Sequence, residues 1–251
     1  MATRTRASAP KAATSKATAS KPPAKTPAKP AAPRHSKKQA AVEPFRTALT
    51  FDAEHPDRRS TPGVQERLLD ILDRLDAKAT FFIQGRWAEA YPATAARIAK
   101  AGHLVGNHSH YHARMPHLSR EGLAFDIKTA EDVIVATTGV DPKPWFRNPF
   151  GAGSDSRRVL KALDRAGYVH VGWSAEAWDW EPDRPVAELV DEIVAGLVTA
   201  GDESVALLHT WPTRTEKALP KIVARLRDAG GQLVRVDQLD DVIALPSGPP
   251  W

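Results

Sequence analysis

Residues 80–112, TFFIQGRWAEAYPATAARIAKAGHLVGNHSHYH, decide the fold. Thr80-Phe81-Phe82-Ile83 is a short β-branched and aromatic run that reads as a strand. Residues 93–101 carry a helical pattern that Gly102 stops, and residues 103–106 return to an extended apolar pattern. The second strand runs into Asn107-His108-Ser109-His110-Tyr111-His112. Strand, helix, strand, then polar residues is the unit of a parallel sheet that carries its chemistry at the carboxyl ends of its strands. His108 and His112 are four apart, which on a helical turn places two imidazoles on one side, within reach of a single Zn²⁺-like ion.

The same alternation extends in both directions. Strands are expected at 48–51, 145–147, 168–173, 205–208 and 232–236, and helices at 64–75, 118–136, 155–166, 185–200 and 216–229. Ser119 is placed to cap the helix over 118–136, Pro185 to start that over 185–200, and Gly167 and Gly230-Gly231 to stop two others. About seven βα units in roughly 205 residues predict an α/β fold of the deformed (β/α)7–8 barrel kind, slightly short for a regular eight-fold one.

Outside this region the composition changes. Residues 1–42 hold ten Lys or Arg and no Asp or Glu, so they carry +10, while the whole chain carries +5 and the remainder therefore −5. The high isoelectric point belongs to that segment, and does not make the rest a nucleic-acid binder. Residues 1–42 are rich in Ala, Lys and Pro and lack aromatics, the pattern of a disordered basic N-terminal arm; residues 43–251 form the second expected domain. Such an arm suits an anionic polymer, a membrane surface or a nucleic acid, or serves only as a solubilising leader. The absence of cysteine excludes disulfides, thiolate ligands and cysteine nucleophiles. No stretch has the length of a membrane span, and no apolar signal-peptide core follows the basic start. The pattern therefore does not support Sec-type export, and the default expectation is the cytoplasm.

Polar residues of catalytic type sit where the strands end: Asp52, His108, Arg147, Asp179 with Trp180, and His209. Together with their neighbours they resemble the polysaccharide deacetylases of the NodB-homology type, carbohydrate esterase family 4. Five ordered segments over roughly residues 45–243 carry the resemblance. They are Thr50-Phe51-Asp52-Ala53, the segment from Asn107 to His112, Arg147-Asn148-Pro149-Phe150, the segment from Trp173 to Trp180, and Leu207-Leu208-His209.

The resemblance implies metal-dependent removal of N-acetyl groups from amino-sugar polymers or oligomers of the chitin or peptidoglycan type. It implies Asp52 as general base, Arg147 as its partner, and His209 as the acid, charged by Asp179. It implies His108 and His112 as ligands of a divalent cation, Zn²⁺ first and Co²⁺ or another transition metal as alternatives. The backbone beside Phe150 becomes the oxyanion donor, and Leu207 and Trp180 wall a slot for the acetyl methyl. Trp211 is a candidate sugar wall, whereas Trp145 and Trp173 are expected in the core. Family members usually work outside the cytoplasm, which sets the cell envelope against the cytoplasmic default.

One position departs from the pattern. The family's third ligand is an Asp directly after the base, and here that residue is Ala53. Either Glu54 or His55 completes the site, or Asp52 and water do, or catalysis is lost and a carbohydrate-binding cleft remains. A hydrolase of non-sugar amides or O-acetyl esters is a further alternative. Glu176 stands where the fourth motif begins with Asp. His110 is expected to face away from the ligands, His103 and His117 to be structural, and His170 to be a neutral packed residue.

Overall fold

The computed structural model describes residues 43–241. The expected arm over 1–42 and the last ten residues of the expected second domain lie outside the described residues. In chain order the elements are β1 (Phe45–Ala53), α1 (Val64–Arg74), β2 (Thr80–Ile83), α2 (Gly85–Ala90), α3 (Pro92–Lys100), β3 (Leu104–Asn107), α4 (Arg120–Thr138), β4 (Trp145–Phe146), α5 (Arg157–Arg165), β5 (Val169–His170), β6 (Ala175–Glu176), α6 (Val186–Ala200), β7 (Ser204–His209), α7 (Thr213–Asp228) and β8 (Gly231–Val234).

Every ladder is parallel, in the order β5-β4-β3-β2-β1-β7-β6. β1 is the hub. Its residues 47–52 pair with β7 along one edge, while its other edge serves β8 at residues 45–48 and β2 at residues 50–53. The ends of this path, β5 and β6, are consecutive in the chain and only residues 171–174 separate them. The sheet therefore curls until its ends are joined by four residues, without a β5–β6 ladder among the described residues. The deformed α/β barrel read from the sequence is borne out, with its deformation located at this seam and at β8.

Strand parity builds two cores. Side chains alternate across a strand, so Phe51, Ala53, Phe81, Ile83 and Leu208 face the helices and pack with Leu68, Leu72, Leu219 and Ile222. The opposite parity puts Ala48, Phe82, Val205 and Leu207 inside the curl with Val171 and Trp173. Thr50, Asp52 and His209 share that inward parity and are buried with it. Gly106 in β3 leaves the space the inner core needs, since a Cβ there would meet the Phe82 ring at 2.7 Å.

The helix signals were local and legible. Ser119 accepts a hydrogen bond from the Gly122 N–H, and α4 ends at Gly139 with φ 74°. α1 buries Val64, Leu68, Leu69 and Leu72 on one face; full burial of such side chains contributes about 1.5–3 kcal/mol each. Two elements escaped the sequence. α2 is too short to show a period, and β6 has only two residues; the run expected as one strand over 168–173 is β5 followed by the seam.

Candidate active site

β1 ends in Asp52, Ala53 and Glu54, and its parity sends the two carboxylates to the same side while Ala53 packs against the helices. This is why Ala53 is not the residue that matters: Glu54, two positions after Asp52, reaches the cluster that Ala53 cannot. Asp52 Oδ1 accepts from Arg147 Nη1 at 2.9 Å. The same guanidinium donates to Thr50 Oγ1 and, across the seam, to the carbonyls of Val171 and Gly172. It lies over the Phe82 ring, 4.1 Å from the centroid. Arg147 is wholly buried, and the hydrogen bonds of its guanidinium go to β1 and to the seam residues. Thr50, quoted in the first motif without a role, could have been given one from its place two residues before Asp52 on the same face of β1.

Glu54 Oε2 lies 3.1 Å from His108 Nε2 and 2.5 Å from His112 Nε2, and the two Nε2 atoms are 3.2 Å apart. His108 Nδ1 is 2.9 Å from the Arg147 carbonyl oxygen. A carbonyl only accepts, so Nδ1 carries a proton and Nε2 faces Glu54, donating to it when the ring is cationic and offering a lone pair when the ring is neutral. Burial pushes the Glu54 carboxyl up, but the charge of His112 and hydrogen bonds from His108, His112 and His55 outweigh it and hold it well below the ordinary range. Two imidazole nitrogens and one carboxylate are the donor set of an open catalytic zinc site. Around a four-coordinate zinc such donors stand about 3.3 Å apart, so these residues fit a divalent metal with only a small expansion. His55 Nε2 meets Glu54 Oε1 at 3.1 Å and its ring packs on His112, but it is partly exposed.

The two histidines do not sit on a helical turn. Residues 108–114 form a loop, with Ser109 at φ 64° and His112 at φ 58°. Asn107 Oδ1 takes the Ser109 N–H, and Ser109 Oγ takes the His112 N–H. That side-chain-held turn, and not helical spacing, converges the rings. His110 does point away, as expected, but into the protein: it is buried against Gly85, where a Cβ would meet its Nδ1 at 2.3 Å.

Across the cluster, Asp179 takes hydrogen bonds from the His209 N–H at 2.7 Å and Thr215 Oγ1 at 2.6 Å on Oδ2, and Oδ1 meets His209 Nδ1 at 2.6 Å. Burial lowers the His209 pKa, but the charge and hydrogen bond of Asp179 outweigh it and raise it to about 10. Its Nε2 lies 3.8 Å from Glu54 Oε1. Thr215 was missed because nothing in a helix's first turn marks it as a partner of Asp179.

The family model for polysaccharide deacetylase matches residues 40–171. The chain belongs to the polysaccharide deacetylase family. It is 33% identical over 207 residues to the peptidoglycan-N-acetylmuramic acid deacetylase PdaC of Bacillus subtilis, covering 82% of this chain. The chain spans about two fifths of that relative's length, 41%. Among solved structures, a deacetylase with bound substrate, T48, shares 31% identity at a TM-score of 0.65, covering 78% of this chain and 90% of the other. A family 4 carbohydrate-esterase pseudoenzyme from Bacillus anthracis shares 26% at 0.69, covering 79% and 66%.

In this deacetylase-family chain the cluster opens into a cavity of about 280 Å³, walled by Phe150, Trp173, Glu176, Trp180, Leu207 and Trp211. Phe150 and Trp180 are exposed, whereas Leu207 is buried. Trp173 belongs to the inner core, as expected, and also forms a cavity wall, where its indole N–H donates to Glu176 at 3.0 Å. Non-glycine residues with positive φ gather here: His55, Ser109, His112, Phe150 and Trp178. Each such residue costs on the order of 1–3 kcal/mol, and strain of this kind concentrates where geometry serves function. Among the other histidines, His103 Nδ1 accepts from the Ala79 N–H, and burial lowers its pKa to about 4; burial takes His170 to about 3. Both are neutral and structural, as the sequence suggested.

Proposed function

We propose that the chain hydrolyses N-acetyl groups of amino-sugar polymers or oligomers of the chitin or peptidoglycan type. His108, His112 and Glu54 would hold a divalent cation, with zinc as the first candidate. The observation that carries this reading is the meeting of Glu54 with both imidazole Nε2 atoms, beside an Asp52 that Arg147 orients. When bound, the cation lowers the pKa of a water and polarises an acetyl carbonyl.

The side chains supply the proton transfers. Asp52, oriented by Arg147, takes the proton of the attacking water. His209, kept cationic by Asp179, gives a proton to the departing amine. The backbone N–H beside Phe150 is the proposed oxyanion donor. Leu207 and Trp180 wall the slot for the methyl group, and Trp211 stacks on a sugar face. The likeness to PdaC, a peptidoglycan-N-acetylmuramic acid deacetylase, and the family match support amino-sugar deacetylation.

The test is acetate release from N-acetylated chitooligosaccharides and peptidoglycan fragments after loading with zinc or cobalt, with the metal content measured. Stoichiometric metal and released acetate are expected, lost on chelation and restored by metal. Metal without acetate would mark a binding-only cleft. Faster release from O-acetyl than N-acetyl sugars would mark an esterase.

A further inference from the structure

Two arginines stand at the mouth of the cavity, and the hydrolysis described above has no task for either. Arg58 lies over the Trp211 ring, 4.1 Å from its centroid, and Arg114 lies over the Phe150 ring at 4.5 Å. Both line the cavity. Each ends a column that starts at an imidazole of the site. His209 stands 6.1 Å from Trp211, which carries Arg58, and His112 stands 4.5 Å from Phe150, which carries Arg114. The first column rises from the β1 and β7 ends, and the second from the β3 and β4 ends.

Among the described residues, neither guanidinium has a carboxylate within ion-pair distance. The aromatic faces hold each guanidinium plane while leaving its N–H edge for a ligand. A stacked guanidinium also loses little freedom when it binds, and its fork matches a carboxylate bidentately. The floor of the same cavity is acidic, with Asp52, Glu54 and Glu176. Arg147 is matched by Asp52, and the imidazoles by Glu54 and Asp179, so among the described lining residues the two rim guanidiniums are left to draw an anionic group.

We infer that the cleft is built for an amino-sugar chain that carries carboxylates, with Arg58 and Arg114 as its specificity-determining contacts. This rests on the deacetylase reading and narrows it. The acetamide enters the floor between Asp52 and His209, and a carboxylate on the same sugar or its neighbour is gripped at the mouth. A neutral chitin chain fills the same walls but leaves both forks without an acceptor.

The test compares three probes on the zinc-loaded full chain by titration calorimetry. They are a GlcNAc–MurNAc tetrasaccharide with free lactyl carboxylates, the same tetrasaccharide with those groups converted to primary amides, and chitotetraose. The free acid should bind roughly tenfold more tightly than the amide, as expected for a charge-assisted bidentate contact. That ratio should shrink as salt is raised. Arg58→Gln and Arg114→Gln should each bring the ratio down, and the double variant should bring it near one. Equal binding of acid and amide by the unaltered chain overturns the inference, as does a ratio that both substitutions leave intact. Acetate release is followed in parallel. Its absence with every probe removes the hydrolytic reading, whereas the binding ratio alone decides the carboxylate contact.

Discussion

The Asp52 carboxylate meets the Arg147 guanidinium at 2.9 Å, with both side chains buried. The pair does two jobs, because the same guanidinium ties β1 to the carbonyls of Val171 and Gly172 on the seam that closes the sheet. Arg147→Met should therefore cost stability as well as turnover. It strands a buried carboxylate and frees two buried carbonyls, a loss on the order of 3–5 kcal/mol. Urea unfolding should show it. Arg147→Met combined with Asp52→Asn should recover part of the stability and none of the activity. Unchanged stability in the single variant would mean that the seam does not depend on this residue.

Asp52 and Glu54 stand two residues apart on one face and should separate cleanly in their effects. Asp52→Asn should retain bound metal and lose turnover by roughly 10²–10⁴-fold, the usual scale of a general base. Glu54→Gln should lose the metal, because an amide replaces the carboxylate between His108 Nε2 and His112 Nε2. Metal analysis after dialysis decides between them. Equal metal loss in both variants would make Asp52 a ligand and remove it as the base.

Restoring the family's usual ligand position should fail. Ala53 is fully buried in the core between sheet and helices, among Phe51, Ile83 and Leu208. Ala53→Asp puts a carboxylate into apolar packing on the wrong face of β1, where an unpaired charge is expensive to bury. The expected outcome is a destabilised protein without tighter metal binding. Increased metal affinity in a stably folded Ala53→Asp variant would mean that the strand end can rotate to present that side chain.

The substitution at Ala53 also shows what a sequence can reveal about this site. Strand ends, their order and the residues on them were legible because each depends on a short local pattern: β2 was read with its observed bounds. The choice between Glu54 and His55 was not legible, because it depends on whether β1 stays extended through residue 53. Strand parity, applied one residue further, would have favoured Glu54. The loop that converges His108 and His112 was misread as helical because identical spacing arises from a turn held by Asn107 and Ser109. Thr215, Arg58 and Arg114 were invisible as site residues, since each joins the site through a partner distant in sequence: Asp179, Trp211 and Phe150.

His209 offers a pH signature with a defined sign. Burial alone would lower its pKa, and Asp179 reverses this to give about 10. The acid form therefore persists through neutral pH, and kcat/KM should fall on the alkaline side as pH rises toward that value. In Asp179→Asn the charge is gone and burial prevails, so the alkaline limb should move to lower pH by at least about one unit, with reduced turnover at neutral pH. Stability should follow the same linkage. The folded pKa lies above the unfolded value of about 6.5, so the stabilisation from the His209–Asp179 pair is fully present below that value. It declines as pH rises from there through about 10. The difference in urea midpoint between the unaltered chain and Asp179→Asn should accordingly be largest in mildly acidic buffer and narrow on the alkaline side. An alkaline limb at the same pH in both proteins would show that a group other than His209 delivers the proton to the leaving amine.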